Sequence, residues 1–327
     1  MQLHLNSYGL YLHVKDDMFE IKHADKDQLN HVAAHKVKTI HVHKGMALST
    51  DAILLALKHN IDIVLMDWGD RPAGRFWHSK LGSTTKIRKK QLESTMNHVA
   101  VDTIKEWIGK KLSNQAVFLR SLKKHRSKTA EYLEEQAEKI DGYFEKIKAL
   151  EAYDIQDIAQ LIRAYEGNAG RVYFETLFHC LRPFYDIKKR SFRPAADSFN
   201  AMLNYAYAIL YSKVEKSLII AGLDPFVGFL HRDDYNYKSL VYDFIEPYRI
   251  YAELAVFRLF SAKKVRQDHV DILENGVSLN AEGKQLLMEK YNQYLLEDKI
   301  RHKNRNTSRD TIIQLDAHEF AQKILAL

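Results

Sequence analysis

The hydrophobic period of the sequence changes near residue 84, and this change separates two parts of the chain that must fold differently. In the first part apolar and polar residues alternate, as in LYLHVK at 10–15, and a polar turn then leads into a second alternating run. Such alternation predicts half-buried strands and a hairpin.

The second part is rich in Glu, Lys, Gln, Ala and Leu, and its stretch 86–150 contains no proline. Unbranched side chains lose little rotamer freedom in helices, so this composition predicts long helices. We therefore predict an α+β protein. It has a small strand-rich N-terminal domain at 1–83, followed by a larger all-helical domain at 84–327.

Composition and length narrow the class of protein further. The chain has 327 residues, of which 46% are apolar, and this fraction is too high for a disordered chain. Its one cysteine, Cys180, excludes a disulfide framework and a four-thiolate zinc site. No apolar run approaches the roughly 20 residues of a membrane helix, and the first residues lack the basic flank and apolar block of a secretory signal. We expect a cytoplasmic protein that does not associate with membranes.

Basic residues are clustered, and the formal net charge is +7. One cluster alone is typical of a solvated helix face, and a charge of this size fits a polyanionic partner without requiring one. Four clusters separated by acid-rich helices favour patches that follow the phosphates of a nucleic acid. Their members are Lys86, Arg88, Lys89 and Lys90; Lys123, Lys124, Arg126 and Lys128; Lys188, Lys189, Arg190 and Arg193; and Arg301, Lys303, Arg305 and Arg309.

The sequence lacks the glycine-rich phosphate loops GxxxxGK[ST] and GxGxxG, and it also lacks HExxH and GxSxG. Nucleotide-binding loops, zinc peptidases and serine hydrolases therefore have no motif support. A single cysteine gives little support to a cysteine nucleophile. What remains is carboxylate and imidazole chemistry in the helical domain.

Two segments of the helical domain carry the first candidate residues. Glu166 lies in YEGNAG, where two glycines within one helical turn cost about 1 kcal/mol each relative to alanine. Small residues there would let another helix or backbone approach the Glu166 carboxylate, although a solvent-facing glutamate beside a packing glycine explains the pattern equally well. His231 follows the apolar run GFL in a predicted loop, which is a good position for a neutral imidazole ligand.

A third segment, YDFIEPYR, adds two acids. Asp243 and Glu246 are three residues apart, so a helix places both carboxylates on one face, where a cation would relieve their repulsion. The alternative is a helix that starts at Pro247, with Glu246 at the positive end of its dipole. Together with Glu166 and His231, these acids form a hard donor set that suits Mn²⁺ or Mg²⁺. Beside four basic clusters, the set predicts phosphoryl transfer on nucleic acid.

These segments, in this order, resemble the CRISPR-associated protein one family, the integrases that insert new spacers into CRISPR arrays. The resemblance covers nearly the whole chain. It is carried by GMALST at 45–50, YEGNAGRVYF at 165–174, PAADSFNAMLNYAYAIL at 194–210, GLDPFVGFLH at 222–231 and YDFIEPYR at 242–249.

The resemblance implies a homodimer, with an N-terminal domain for dimerisation and DNA contact and an all-helical catalytic domain. It implies Mn²⁺ or Mg²⁺ held by Glu166, His231 and Glu246, with Asp243 as an additional catalytic acid. Family members act with a small second protein, CRISPR-associated protein two, which bridges two dimers. Together they hold a double-stranded prespacer DNA while its 3′-hydroxyls attack the ends of the CRISPR repeat. Metal-dependent DNA cleavage is also attributed to the family.

Further residues are predicted around this site. Asn200 and Asn204 share a helix face, and they either position the metal or a phosphate or satisfy loop carbonyls as buried amides. Guanidinium groups bind phosphate bidentately, which favours arginines as DNA contacts. The residues predicted to bind DNA are Arg190, Arg193, Arg249, Lys86 and Arg88.

Two other functions are compatible with the residues alone. A non-catalytic DNA-binding scaffold needs only the basic faces, but it leaves the acids around His231 unexplained. A metal phosphodiesterase for a small nucleotide would need an enclosed pocket, whereas duplex DNA needs an open basic groove. The shape of the surface around Glu166 therefore distinguishes an enzyme that acts on duplex DNA from one that acts on a small nucleotide.

Overall fold

In a computed structural model of the chain, the described residues are 1–23, 26–67, 72–76, 85–192, 194–231 and 237–327, without the side chains of 26–28. The chain divides into two compact units, Met1–Leu81 and Gly82–Leu327. The boundary predicted between residues 83 and 84 and the predicted DNA contact Arg193 lie outside the described residues.

The described part of the first unit contains two four-stranded sheets and a helix. One sheet has the order β1-β5-β7-β8, with only β8 antiparallel to its neighbour, and the other has the order β4-β3-β2-β6, with only β6 parallel. The elements are β1 (Gln2–Leu5), β2 (Leu10–Lys15), β3 (Met18–His23), β4 (Lys26–Ala33), β5 (Thr39–Val42), β6 (Ala47–Leu48), α1 (Thr50–Lys58), β7 (Asp62–Met66) and β8 (Pro72–Phe76).

Strands β2 and β3 form the hairpin that the alternating pattern predicts. Their turn places Asp16 and Asp17 at φ values of 52° and 55°, a left-handed conformation that aspartate tolerates better than most residues. Alternation sends Leu12 and Phe19 into the core, where both side chains are fully buried together with Ile40. The first unit is therefore strand-rich, as predicted.

The second unit is mostly helical, and α3 packs against α4 and α5 while α6 packs against α8 and α10. Its helices are α2 (Thr85–Ser94), α3 (His98–Leu122), α4 (Ala130–Lys148), α5 (Ile155–Leu181), α6 (Ser198–Ala221), α7 (Ser239–Phe244), α8 (Arg249–Ser261), α9 (Ala281–Asn292) and α10 (Arg309–Leu325). Shorter helical turns cover Lys123–His125, Ser127–Thr129, Glu246–Tyr248, Gln267–His269 and Gln293–Glu297. In the described residues, no helix is both long enough and apolar enough to cross a membrane.

Local chemistry fixes the ends of the two helices nearest the candidate site. Asp154 caps α5 by accepting a hydrogen bond from the Gln156 backbone N–H at 2.9 Å, and Asp197 caps α6 in the same way through the Asn200 N–H at 2.9 Å. Helix α6 ends at Gly222, whose φ of 84° is the left-handed conformation that a helix C-terminus requires. The loop that follows Gly222 leads to His231.

Two small hairpins in the second unit correct the expectation of an all-helical domain, although the α+β class is confirmed. They are β9 (Val270–Leu273) with β10 (Gly276–Leu279), and β11 (Lys299–His302) with β12 (Arg305–Ser308). The strands have four residues each, and the last pair is almost entirely polar, so no apolar alternation marks it. Lys303 and Asn304, at φ values of 43° and 65°, form its turn.

No helix or backbone of the described chain packs against the two glycines next to Glu166. A Cβ atom placed on Gly167 or Gly170 would meet no described atom within 4 Å beyond its own helix and chain neighbours.

We therefore expect Gly167→Ala and Gly170→Ala each to raise the free energy of unfolding by up to about 1 kcal/mol, measured by urea denaturation. As a contrast, Gly109→Ala in α3 would bring a Cβ to 2.6 Å from Phe144 Cε2 and should be destabilising. Equal effects at all three positions would contradict this account.

Candidate active site

Two carboxylates from distant parts of the chain meet at one lysine. Glu166 comes from the middle of α5, Glu246 from the helical turn Glu246–Tyr248 between α7 and α8, and Lys111 from α3. The Lys111 ammonium donates a hydrogen bond to Glu166 Oε1 and lies 2.6 Å from Glu246 Oε2. The Glu246 side chain is only 3% exposed, whereas that of Glu166 is 26% exposed, so the pair opens to solvent on the α5 side.

Glu246 is held from its other side by an arginine. Arg249 Nε donates to Glu246 Oε1 at 2.8 Å, and Arg249 Nη2 donates to the Tyr211 hydroxyl at 2.8 Å. Burial alone would raise the pKa of the Glu246 carboxyl, but the Arg249 and Lys111 cations outweigh it and lower that pKa to about 2. Likewise, burial would lower the pKa of Lys111, yet Glu166 and Glu246 raise it above its ordinary value. At neutral pH the Glu246 carboxylate and the Lys111 and Arg249 cations are therefore charged.

Asp243 organises the loop that carries His231. Its side chain is fully buried, and it accepts hydrogen bonds from the backbone N–H groups of Phe229 at 2.6 Å, Leu230 at 3.0 Å and His231 at 3.2 Å. The same carboxylate contacts His231 Nδ1 at 2.5 Å. The imidazole is therefore oriented by a carboxylate, the arrangement that metal-ligating histidines commonly have. Its Nε2 forms no hydrogen bond to a residue that the structure describes, and the ring is 29% exposed.

Two further contacts position this loop. The fully buried Gln91 of α2 donates to the backbone carbonyls of Asp224 at 2.9 Å and Val227 at 2.8 Å, and it accepts from the Asp224 N–H at 2.8 Å. Arg163, one turn before Glu166 on α5, donates to the Leu230 carbonyl at 3.0 Å. The Arg163 contact ties the helix of Glu166 directly to the loop of His231.

Gly228 is required by the close packing of this loop. A Cβ atom at this position would lie 2.4 Å from Ser239 Cβ, 2.7 Å from the Ser239 carbonyl carbon and 2.9 Å from Asp243 Oδ2. We expect Gly228→Ala to push the loop away from α7 and to cost about 1–3 kcal/mol of unfolding free energy, measured in urea. Gly142→Ala on α4 is the matched control, because a Cβ there has no neighbour within 4 Å. Equal stability of the two variants would contradict this packing.

The donor groups suit a divalent cation, although they are not gathered into one cluster. Among the described residues, no three His, Cys, Asp or Glu side chains lie close enough together to hold a metal ion. The structure instead forms two pairs, Glu166 with Glu246 at the Lys111 ammonium and His231 with Asp243. Two carboxylates that converge on a cation, and an imidazole that a third carboxylate orients, are groups of the kind that bind Mn²⁺ or Mg²⁺.

Comparison with known proteins assigns the family. The family model described as CRISPR associated protein Cas1 matches residues 3–293, which is most of the chain. This protein belongs to the Cas1 family. The CRISPR-associated endonuclease Cas1 1 of Archaeoglobus fulgidus is 30% identical over 330 residues, which cover 98% of this chain and 95% of the relative.

Solved structures show the same fold. A casposase bound to an integration product matches with a TM-score of 0.84 and 22% identity, covering 99% of this chain and 90% of that one. A Cas1 protein from Thermotoga maritima matches with a TM-score of 0.82 and 20% identity, covering 99% of this chain and 97% of that one. The two-part architecture described above is thus the Cas1 fold.

The predicted DNA contacts of this Cas1 family member lie in different surroundings. Lys86 is exposed on α2, whereas Arg88 on the same helix is half-buried. Arg249 is committed to Glu246, as described above. Arg190 donates to Asn200 Oδ1 at 2.9 Å and Asn204 Oδ1 at 2.6 Å, and its guanidinium carbon lies 4.3 Å from the Phe192 ring centroid. Of these four residues, Lys86 has the most accessible charge.

Asn200 and Asn204 both bind the backbone of the loop around Arg190. Asn200 Nδ2 donates to the Lys189 carbonyl at 2.9 Å, and Asn204 Nδ2 donates to the Phe192 carbonyl at 2.6 Å. Their hydrogen bonds reach the loop and Arg190 rather than the acidic pair. The geometry matches the interpretation of these residues as amides that satisfy loop carbonyls.

Lys111 is the site residue that sequence reasoning missed. It lies in GKKLSNQ within the long helix α3, where a lysine pair looks like an ordinary solvated face. Its signal is weak, because only the packing of α3 against α5 and against the Glu246 turn shows that Lys111 meets Glu166 and Glu246. The amphipathic pattern of α3 places Ile104, Ile108, Leu112 and Lys111 on its buried side.

Proposed function

We propose that this protein is the metal-dependent DNA integrase and endonuclease of CRISPR adaptation. It would join the 3′-hydroxyl ends of a prespacer to the CRISPR repeat by transesterification. The observation that carries the proposal is that Glu166 and Glu246 converge on the Lys111 ammonium. Arg163, on the same helix as Glu166, binds the loop that carries His231. The name of the Archaeoglobus fulgidus relative, an endonuclease, supports the same class of reaction.

Glu166, Glu246 and His231 Nε2 are the groups that we propose hold Mn²⁺ or Mg²⁺. Because the described structure keeps them as two separate pairs, the imidazole would have to approach the two carboxylates when the ion binds. Bound there, the ion would polarise the phosphodiester and stabilise the negative charge that develops in the transition state when a hydroxyl attacks. Arg249 keeps Glu246 ionised and fixed, and Asp243 binds the imidazole through Nδ1, which leaves Nε2 as the nitrogen that would bind the ion. The new phosphorus–oxygen bond forms to the prespacer 3′-oxygen as the bond to the repeat 3′-oxygen breaks. The attacking hydroxyl loses a proton and the leaving oxygen gains one.

The surroundings of Glu166 support a large DNA substrate over a small nucleotide. Glu166 is partly exposed, and space is open beside both neighbouring glycines. An open surface of this kind suits duplex DNA, whereas a small nucleotide would need an enclosing pocket. Basic residues such as Lys86 would bind the DNA backbone through phosphate contacts.

The assembly is part of the proposal. The resemblance of the sequence segments to the family supports a homodimer that is bridged by CRISPR-associated protein two. In this assembly, double-stranded prespacer and repeat DNA are the substrates. The basic clusters support DNA as the partner, because they would release counterions from its phosphates on binding.

Strand transfer tests the function directly. An oligonucleotide with a free 3′-hydroxyl is incubated with a repeat-containing duplex, the full-length protein and either Mn²⁺ or EDTA. We expect joined product with Mn²⁺ and none with EDTA. Salt-sensitive DNA binding without product under either condition would favour the non-catalytic scaffold, and equal product in EDTA would exclude metal dependence.

A further inference from the structure

Lys111 occupies the position in which the acidic pair would bind a metal ion. The residue is only 8% exposed, and lysine is rarely buried unless it is paired. Glu166 and Glu246 contribute two negative charges, and Lys111 and Arg249 contribute two positive ones. The four side chains therefore form an electrically balanced group, which is the condition for burying them together.

A divalent cation and the Lys111 ammonium need the same carboxylate oxygens. The ammonium is bound to Glu166 Oε1 and lies 2.6 Å from Glu246 Oε2. An ion bound to both of these oxygens at the roughly 2.0–2.1 Å typical of Mg²⁺ would lie in the space between them that the ammonium fills, and the two positive charges would repel each other. Metal binding between the two acids must therefore move the lysine.

The lysine side chain has enough rotatable bonds for this movement while its helix stays in place. Its ammonium sits on a flexible four-carbon stem, and rotation about the bonds of the stem carries the charge away from the acids. The Glu246 carboxylate stays in place, because Arg249 holds its other oxygen at 2.8 Å. Glu246 is thus held in place by Arg249, while the cation on its other side is carried by a flexible side chain.

We infer that Lys111 is a built-in competitor for the divalent cation. It neutralises Glu166 and Glu246 when no metal is bound, it weakens their affinity for the metal, and the incoming ion displaces it. The inference rests on the proposed metal site and adds a residue that sets its affinity. After displacement the ammonium remains within one side-chain length of the site, where a substrate phosphate can take the place of the lost carboxylates.

The test is the affinity of the full-length protein for Mn²⁺, measured without DNA from the electron paramagnetic resonance signal of the free ion. Lys111→Met keeps an unbranched side chain, one heavy atom shorter, but removes its charge, so Mn²⁺ should bind at least about tenfold more tightly than to the wild type. Lys110→Met is the matched control. It removes the same charge one residue away, from a half-exposed side chain 4.0 Å from Asp316, and should change the affinity less than about twofold.

Thermal unfolding gives a second readout. In EDTA, Lys111→Met should unfold at a lower temperature than the wild type, because two buried or half-buried carboxylates lose their shared cation. Mn²⁺ should raise its unfolding temperature by more than it raises that of the wild type. Lys111→Gln, which keeps hydrogen-bond donors without the charge, should also bind Mn²⁺ more tightly than the wild type.

The outcomes separate the two proposals. If the wild type binds Mn²⁺ and neither Lys111 variant binds it more tightly, the competition is disproved while the metal site stands. If the wild type and both variants bind no Mn²⁺, the metal site of the proposed function fails as well. If neither variant folds even with Mn²⁺, Lys111 is a fixed structural partner of the acids, and the inference is overturned.

Discussion

Glu166→Gln should bind DNA as the wild type does, yet lose strand-transfer activity by at least about a thousandfold. The amide has nearly the shape of the carboxylate, so the loss would come from weaker binding of the cation that stabilises transition-state charge. Such stabilisation is worth several kcal/mol, and each 1.36 kcal/mol corresponds to a factor of about ten in rate. The measurement is the initial rate of strand transfer with Mn²⁺, together with the dissociation constant for duplex DNA.

Glu175→Gln is the matched control for this variant. Glu175 lies on the same helix, α5, but it is half-exposed and pairs with Arg182 at 2.9 Å. Surface ion pairs contribute little to stability, so this variant should keep strand-transfer activity within about twofold of the wild type. A Glu166→Gln variant as active as Glu175→Gln would remove Glu166 from the proposed chemistry.

Asp243→Ala should have the largest effect on folding. It would leave three backbone N–H groups of the His231 loop and the His231 imidazole without their acceptor, in a site where the carboxylate is fully buried. Each unsatisfied buried donor costs about 1–3 kcal/mol before relaxation and water access reduce the sum. We expect a loss of at least about 3 kcal/mol in the unfolding free energy of the second unit, measured in urea, and no strand transfer.

His231→Ala separates stability from chemistry at the same place. The imidazole is partly exposed, and its removal leaves the backbone hydrogen bonds to Asp243 intact. This variant should lose less than about 1 kcal/mol of stability but lose strand transfer as Glu166→Gln does. If Asp243→Ala were as stable as His231→Ala, the carboxylate would not be the organiser of this loop.

The division into strand-rich and helical parts was predictable because hydrophobic period is a local property. The hairpin of β2 and β3 follows from alternation and a pair of turn aspartates, and both signals lie within a few residues of each other. The hairpin of β11 and β12 was not predictable in this way. Its residues other than Ile300 are polar, so the pairing depends on the turn at Lys303 and Asn304 and on the packing of α10 against both strands.

At the candidate site, the sequence indicates the donor residues but not the geometry between them. Glu166, His231 and Glu246 stand out by residue type and by the resemblance of their segments to the Cas1 family. Their mutual placement depends on contacts between residues far apart in the chain. One is the bond from Arg163 to the Leu230 carbonyl, and another is the position of Lys111 between the acids. Helical spacing cannot reveal either.

The role of Asp243 also could not be predicted from its spacing in the sequence. Its spacing from Glu246 suggests two carboxylates that share a cation, whereas the structure gives each carboxylate a separate task. The hydrogen bonds of Asp243 run to a loop twelve to fourteen residues earlier in the chain. A local pattern contains no information about such partners.

An anomalous-scattering map from crystals soaked in Mn²⁺ would locate the metal ion itself. We expect one manganese peak in contact with Glu166, Glu246 and His231, with the Lys111 ammonium moved away from both carboxylates. A peak that lies elsewhere, or no peak between the two glutamates at saturating Mn²⁺, would contradict this expectation.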